Sequence, residues 1–322
     1  PGGYRFFVRN LRILSSQDAP AAIQETDEEI RLDTQAPVTF TYEVALLHDK
    51  HPLPYGIDEA PHLTDRGAFW TGRSLFFVAP MQEITIHFDL PAGCRLSTPW
   101  EALPGDPSTF VAKDEAALTD SFVLIGDHAQ AGVKVRSVDA LLAVDRALEP
   151  ALPLLESTLT DLLTACDGIF GGSPSVRSLV VVSAHPGKGR FDGGVFGRSV
   201  SILLPETPTR DNQRQWVPFL AHELLHLWNG QALKPRTQQD WFTEGFTEYY
   251  AYLMAYRQHA VGREDLIRRI ESACAAYYEN QGTTSILGAG DSATHNTRLI
   301  YDGGFLLAVL LDTEIRQTTA GR

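Results

Sequence analysis

"AHELLHLWNGQALKPRTQQDWFTEGFTEYY", residues 221–250, sets two histidines four residues apart around a glutamate and then places another glutamate inside an aromatic run. On a helix turning about 100° per residue, His222 and His226 lie only about 40° apart, so both imidazoles reach one point. Glu223 sits on the adjoining sector. Leu220, Leu224, Leu227 and Trp228 gather on the opposite side. This pattern predicts a helix over residues 218–229 that packs its apolar back and turns its polar front to a cleft. Pro218 suits the first turn of such a helix, and Gly230 suits the C′ position that ends it.

A two-histidine site needs a third protein ligand, with the fourth position left for water, and His2Glu is one arrangement of catalytic zinc. Glu244 is the candidate. The 17 residues between it and His226 leave room for a loop and the start of a second helix, "WFTEGFTEYYAYLMAY". The HExxH spacing by itself is equally compatible with a helix whose histidines are exposed or hydrogen-bonded. The apolar back, the glycine stop and the second glutamate together favour the metal. His222, His226 and Glu244 are therefore expected to hold one Zn2+ per chain, with Glu223 accepting a proton from water as general base. Glu248, one turn beyond Glu244, is expected either to orient a ligand histidine or to face solvent. Asn229 either orients a ligand or caps the helix end.

At 322 residues and 43% hydrophobic, the chain can bury a sizeable core, most readily as two domains. A formal charge of -13 disfavours nucleic acid or an anionic membrane surface as a partner. Cys94, Cys166 and Cys274 are far apart and lack CxxC spacing, so neither a disulfide framework nor a thiolate metal site is expected. No apolar run approaches the ~20 residues of a membrane span, and "PGGYRFFVRN" at the start has no signal-peptide core. The expectation is a soluble protein, cytoplasmic or exported after loss of a leader.

Residues 1–145 read as an antiparallel β domain. Short β-type runs, "YRFFVRNLRIL", "VTFTYEVALL", "SLFFVAP", "EITIHFDL", "SFVLIG" and "VKVRSV", alternate there with turn residues. Within "LLAVDRALEPALPLLESTLTDLLTACDGIFGG" the apolar period lengthens to three or four before a Gly-Gly stop, opening a second domain over residues 146–322. "SLVVVSA" and "SVSILLPE" then read as strands, with helices near 218–229, 241–260, 263–278 and 301–317. "RFDGGVFGRSVSILLPE" reads either as a Gly-rich hairpin or as a cleft-edge strand to which an extended peptide adds by backbone hydrogen bonds. In the second reading Gly193, Gly194, Val195 and Phe196 touch substrate.

"HELLHLWN" followed by "WFTEGFTEYY" resembles the glycyl aminopeptidase family of gluzincin zinc metallopeptidases, relatives of the aminopeptidase N type. "LIYDGGFLLAVLLDTEIR" is similar to that family's tyrosine–glycine helix, and "GAFWTGRSLFF" and "FVAKDEAALTDSFVLIG" are looser likenesses to its N-terminal β domain. The resemblance implies an α+β fold, with a thermolysin-like, mainly helical catalytic domain and a small edge sheet behind the β domain. It implies that His222, His226 and Glu244 bind zinc, that Glu223 is the general base, and that Tyr301 donates to the oxyanion. From the residues alone Tyr301 reads as a core tyrosine.

Two departures from the family pattern stand out. The family's strand reads roughly GGLEHRNS, its glutamate holding the substrate amine, whereas "GGVFGRS" puts Phe196 at that position. Family members also continue past the point equivalent to Arg322, which implies an excerpt or a shortened relative. The leading expectation is an aminopeptidase acting on peptides with small N-terminal residues. An endopeptidase or altered-terminus peptidase, and a non-catalytic peptide-binding module on the same fold, are the alternatives, with a non-peptide hydrolase further off.

Overall fold

Strand alternation governs the first part of the chain and the helical period the rest, in a computed structural model that describes residues 7–15, 23–25, 30–32, 37–45, 61–64, 66–78, 82–172, 177–185, 189–237, 239–282 and 284–319. Two units result, Pro1–His128 and Ala129–Arg322. The first carries β1 (Val8–Ser15), β2 (Ile23–Glu25), β3 (Ile30–Leu32), β4 (Thr39–Val44), β5 (His62–Leu63), β6 (Gly67–Thr71), the one-turn helix α1 (Gly72–Leu75), β7 (Gln82–His87), β8 (Arg95–Ser97), β9 (Glu101–Leu103), β10 (Asp106–Asp114), α2 (Glu115–Thr119) and β11 (Phe122–Gly126). Its sheets run β5-β6-β11-β8, β7-β10-β9, β1-β4 and β2-β3, antiparallel throughout the described residues. Trp100, Phe110, Leu118 and Val123 form part of its core.

"SLFFVAP" departs from the strand expected of it. Thr71 and Ser74 form a capping box that starts α1, and Phe76 to Val78 then lie outside any strand. Gly72 makes the turn possible, because a Cβ there would lie 1.9 Å from the Leu118 carbonyl oxygen. Ala79 and Pro80 of that stretch, and Leu46 and Leu47 of "VTFTYEVALL", lie outside the described residues.

In the second unit β12 (His128–Val135) and β13 (Val138–Asp145), which the sequence reading groups with the first domain, enter a five-stranded sheet. Its order is β12-β13-β14-β16-β15, with β14 (Ser178–Ala184), β15 (Asp192–Phe196) and β16 (Ser199–Leu204). The sheet is larger than the small edge sheet expected. β13, β14 and β16 are parallel and β15 is the antiparallel edge. Parallel strands are covered on both faces, and β16 is buried along its whole length.

A 3-10 turn leads into α3 (Leu152–Phe170), which ends where Gly171 adopts φ 76°, the left-handed cap that the Gly-Gly stop signals. α4 (Gln213–Leu225), α5 (Asp240–Arg257), α6 (Arg263–Asn280), the kinked α7 (Ala293–Arg298), a π-helical turn (Leu299–Gly303) and α8 (Gly304–Thr318) complete the unit. Leu155, Leu159 and Leu162 of α3 and Leu220 and Leu224 of α4 pack with Val180, Val182, Val200 and Ile202 of the sheet. α4 begins five residues before the expected start. Pro218 therefore lies inside the helix and deprives the Arg214 carbonyl of its usual donor. Past Leu225 the chain tightens, Leu227 and Trp228 donating to the carbonyls of Leu224 and Leu225. Trp228 then anchors the helix end, its ring stacked on Phe170 at 5.8 Å and its Nε1 donating to the Gly172 carbonyl at 2.8 Å. Among the described residues no helix is long and apolar enough to cross a membrane.

Candidate metal centre

α4 carries His222 and Glu223 in its last turn, with His226 at its cap. α5 lies against α4 and supplies Glu244 and Glu248. The π-helical turn supplies Tyr301. His222 Nε2 and His226 Nε2 stand 3.0 Å apart, and each is 3.3 Å from Glu244 Oε2. In a tetrahedral zinc site with bonds of about 2.0–2.1 Å, neighbouring ligand atoms lie about 3.3 Å apart. The triangle has the size and the donor set that such an ion requires.

The outward ring nitrogens explain why the inner ones carry lone pairs. His222 Nδ1 donates to Glu248 Oε2 at 3.1 Å, and His226 Nδ1 donates to the Asn229 carbonyl at 3.0 Å. Each bond selects the tautomer whose Nε2 accepts. Both Glu248 oxygens are engaged, by His222 and by Arg269, and its side chain is 20% exposed. Asn229 lends its carbonyl to His226 while its Nδ2 donates to Thr243 O at 3.2 Å and Thr247 Oγ1 at 3.0 Å, tying the end of α4 to α5.

Electrostatics point the same way. Burial depresses the His222 imidazole, but the carboxylates of Glu244 and Glu248 outweigh it and raise its pKa well above the usual value. His226 is raised by Glu244 against the same burial. Burial raises Glu244, yet the two imidazoles hold it well below the carboxylate range. The cluster draws positive charge, a proton or a divalent cation, to its centre. Glu223 differs: burial raises its pKa, and Glu244 and Glu248 add to that against the pull of the imidazoles. It is 7% exposed and makes no ion pair short enough to use up its carboxylate among those of the described residues.

Tyr301 is not a plain core tyrosine. Its ring stacks on His222 at 5.9 Å with 17° between planes, and the Glu244 carboxylate acts on its hydroxyl. Burial first and then that carboxylate raise its pKa, so it stays a proton donor. Two glycines place it there. A Cβ on Gly245 would lie 2.4 Å from the Gly304 backbone, and one on Gly304 would lie 2.1 Å from Trp241 O.

The edge strand divides its predicted residues between two faces. Gly193 faces α4, where a Cβ would meet Glu223 Cγ and Phe219 Cζ at 2.9 Å each. Val195, on the same face, packs against the core, and its carbonyl accepts from Gln231 Nε2 at 3.4 Å. Gly194 and Phe196 alternate to the other face. Phe196 is buried there, away from the ligands. Asp192 is taken up by His185 at 2.7 Å and Arg190 at 3.2 Å. The His185 side chain is 6% exposed.

Sequence reasoning missed Arg269 and Asp302. Arg269 on α6 binds Glu248 Oε1 at 3.0 Å and Asp302 Oδ1 at 2.8 Å. Both are distant in sequence from the histidines, and "DLIRRIES" carries no spacing signal.

Residues 215–301, the segment that contains His222, Glu223, His226, Glu244, Glu248 and Tyr301, match the family model of the M61 glycyl aminopeptidases. Over this segment the chain is similar to the M61 glycyl aminopeptidases. No curated protein matches the chain. Among solved structures, an aminopeptidase N family protein from Idiomarina loihiensis is similar at a TM-score of 0.82 and 18% identity, over 100% of this chain and 62% of its own. The M1 zinc metallopeptidase from Deinococcus radiodurans gives 0.58 and 14%, over 91% and 70%. At these identities the likeness is one of fold, and this chain spans 62% of the length of the Idiomarina protein. The M61 segment starts in α4 and closes on Tyr301, so the family likeness and the geometric cluster coincide.

Proposed function

We propose that the chain is a zinc-dependent peptidase in which His222, His226 and Glu244 hold one Zn2+, Glu223 is the general base and Tyr301 the oxyanion donor. The convergence of three lone-pair atoms within 3.3 Å of one another carries this reading. A bound zinc ion would supply Lewis acidity at the scissile carbonyl and acidify water toward neutral pH. Glu223 takes the proton of the attacking water and returns it to the leaving amine. Its raised pKa suits a group that must do both near neutrality. The Tyr301 hydroxyl, kept protonated, donates to the oxygen on which negative charge develops. Glu248 and the Asn229 carbonyl hold the two imidazoles in register. β15 is the edge strand of its sheet among the described residues, where an extended peptide can add, and Gly193 lets that strand approach Glu223.

The family segment supports an aminopeptidase, and the scaffold is consistent with a thermolysin-like domain. A second reading, cleavage of internal or blocked peptides, is favoured by Phe196 lying buried on the far face and by the Asp192 carboxylate being held by His185 and Arg190. Peptides with free and acetylated N-termini separate the two: equal rates on both remove the aminopeptidase form. A non-catalytic peptide-binding module is disfavoured because the chain carries both Glu223 and Tyr301.

Metal analysis with peptide hydrolysis by the wild type and Glu223→Gln tests the proposal. One zinc per chain is expected in both, with the variant slower by about 100-fold or more. Equal rates would refute the base, and a wild type without zinc or hydrolysis would refute the whole reading.

A further inference from the structure

Arg269 is a buried cation that the chemistry above does not use. Its side chain is 12% exposed, and its guanidinium carbon stands 4.4 Å over the Phe305 ring. The Nε–H donates to Glu248 Oε1, whose other oxygen takes the His222 Nδ1 proton. Nη1 donates to Asp302 Oδ1, one residue after Tyr301 in the π-helical turn. Asp302 is 5% exposed, and its second oxygen lies 3.5 Å from Arg298. Burying an arginine with two carboxylates is no stabilising bargain in itself, since well-packed apolar groups often do as well. What it provides is geometry. The planar guanidinium fixes two carboxylates at a set angle and spacing, a task the single point charge of lysine does not perform.

We infer that Arg269 is a positioning residue: through Glu248 it aims the His222 imidazole, and through Asp302 it seats Tyr301, so one side chain sets both halves of the centre. The inference rests on the metallopeptidase reading and adds a residue to it. A mere staple between α5, α6 and the π-helical turn would contribute to folding but leave zinc affinity and turnover of the folded protein alone.

The test uses the full chain and compares the wild type, Arg269→Lys, Glu248→Gln and their double variant. Zinc affinity is read by competition with a chelator, the melting temperature by circular dichroism, and kcat and KM at saturating zinc. Arg269→Lys is expected to melt as a folded protein, to bind zinc about 10- to 100-fold more weakly, and to lose kcat with little change in KM. In the Glu248→Gln background the same substitution should add little to the loss of affinity, because it acts through that carboxylate. Wild-type affinity in Arg269→Lys, or fully additive losses in the double variant, overturns the inference. Asp302→Asn tests the other arm even if the arginine variants do not fold. It should keep zinc affinity within about threefold and lower kcat, and an unchanged kcat overturns that arm. A wild type that binds no zinc instead overturns the parent reading, so the two failures are distinct.

Discussion

Replacing Gly304 by alanine should separate the two halves of the centre by a steric route that touches none of its polar atoms. The new Cβ would lie 2.1 Å from the Trp241 carbonyl oxygen and 3.0 Å from Gly245 Cα. Ordinary van der Waals contact begins near 3.4 Å, so α5 and the start of α8 must part by about 1.3 Å, and both obstacles are backbone. Overpacking of this kind typically destabilises by about 1–3 kcal/mol, against which the better helix propensity of alanine returns up to about 1 kcal/mol. The net loss of roughly 1–2 kcal/mol lowers the melting temperature by about 2–8 °C for a unit of this size. Glu244 adjoins Gly245, and Tyr301 lies one turn before Gly304, so the same shift pulls the hydroxyl from the carboxylate. Misplacement by about 1 Å lowers turnover by up to about 100-fold. Calorimetry with steady-state kinetics on the folded variant checks both effects. Wild-type melting and wild-type kcat together would refute the close helix crossing.

Gly193→Ala should act on the base alone. Its Cβ, 2.9 Å from Glu223 Cγ and Phe219 Cζ, forces two side chains aside, so kcat/KM should fall about 10-fold with zinc content unchanged, and an unaltered rate would contradict the packing. In the first unit, burial holds His128 at a pKa of about 4, against 6.5 unfolded, with Ser97 Oγ at 2.8 Å from its Nε2. Below pH 6.5 the unfolded chain binds a proton that the folded one refuses. Stability is therefore intact above pH 6.5 and declines by roughly 2 kcal/mol down to pH 4, after allowance for residual hydration. Urea unfolding of wild type and His128→Gln across that window checks it, the variant showing the shallower slope.

The parts of this centre written in local spacing were legible beforehand. His222 and His226 share a helical face whatever surrounds them, and Glu244 follows from the need for a third donor on the next helix. The buried strands β14 and β16 announce themselves as apolar runs. What escaped the reading depends on non-local contacts. Arg269 reads as one more basic residue of a solvated helix until Glu248 and Asp302 come to meet it. Gly245 and Gly304 look like propensity defects until two backbones cross there. Pro218 suggested a helix start because prolines favour first turns, yet the packing of Trp216 and Val217 extends α4 past it toward Gln213. Phe196 occupies the expected register, but strand alternation turns its ring to the far face.

The central claim is that two imidazoles and one carboxylate close on a single ion. X-ray absorption at the zinc edge, on protein loaded with one equivalent, tests it most directly. The account predicts two imidazole nitrogens and carboxylate oxygen at about 2.0–2.2 Å, with no sulfur neighbour. A shell with one imidazole or none, or one containing thiolate, would contradict it.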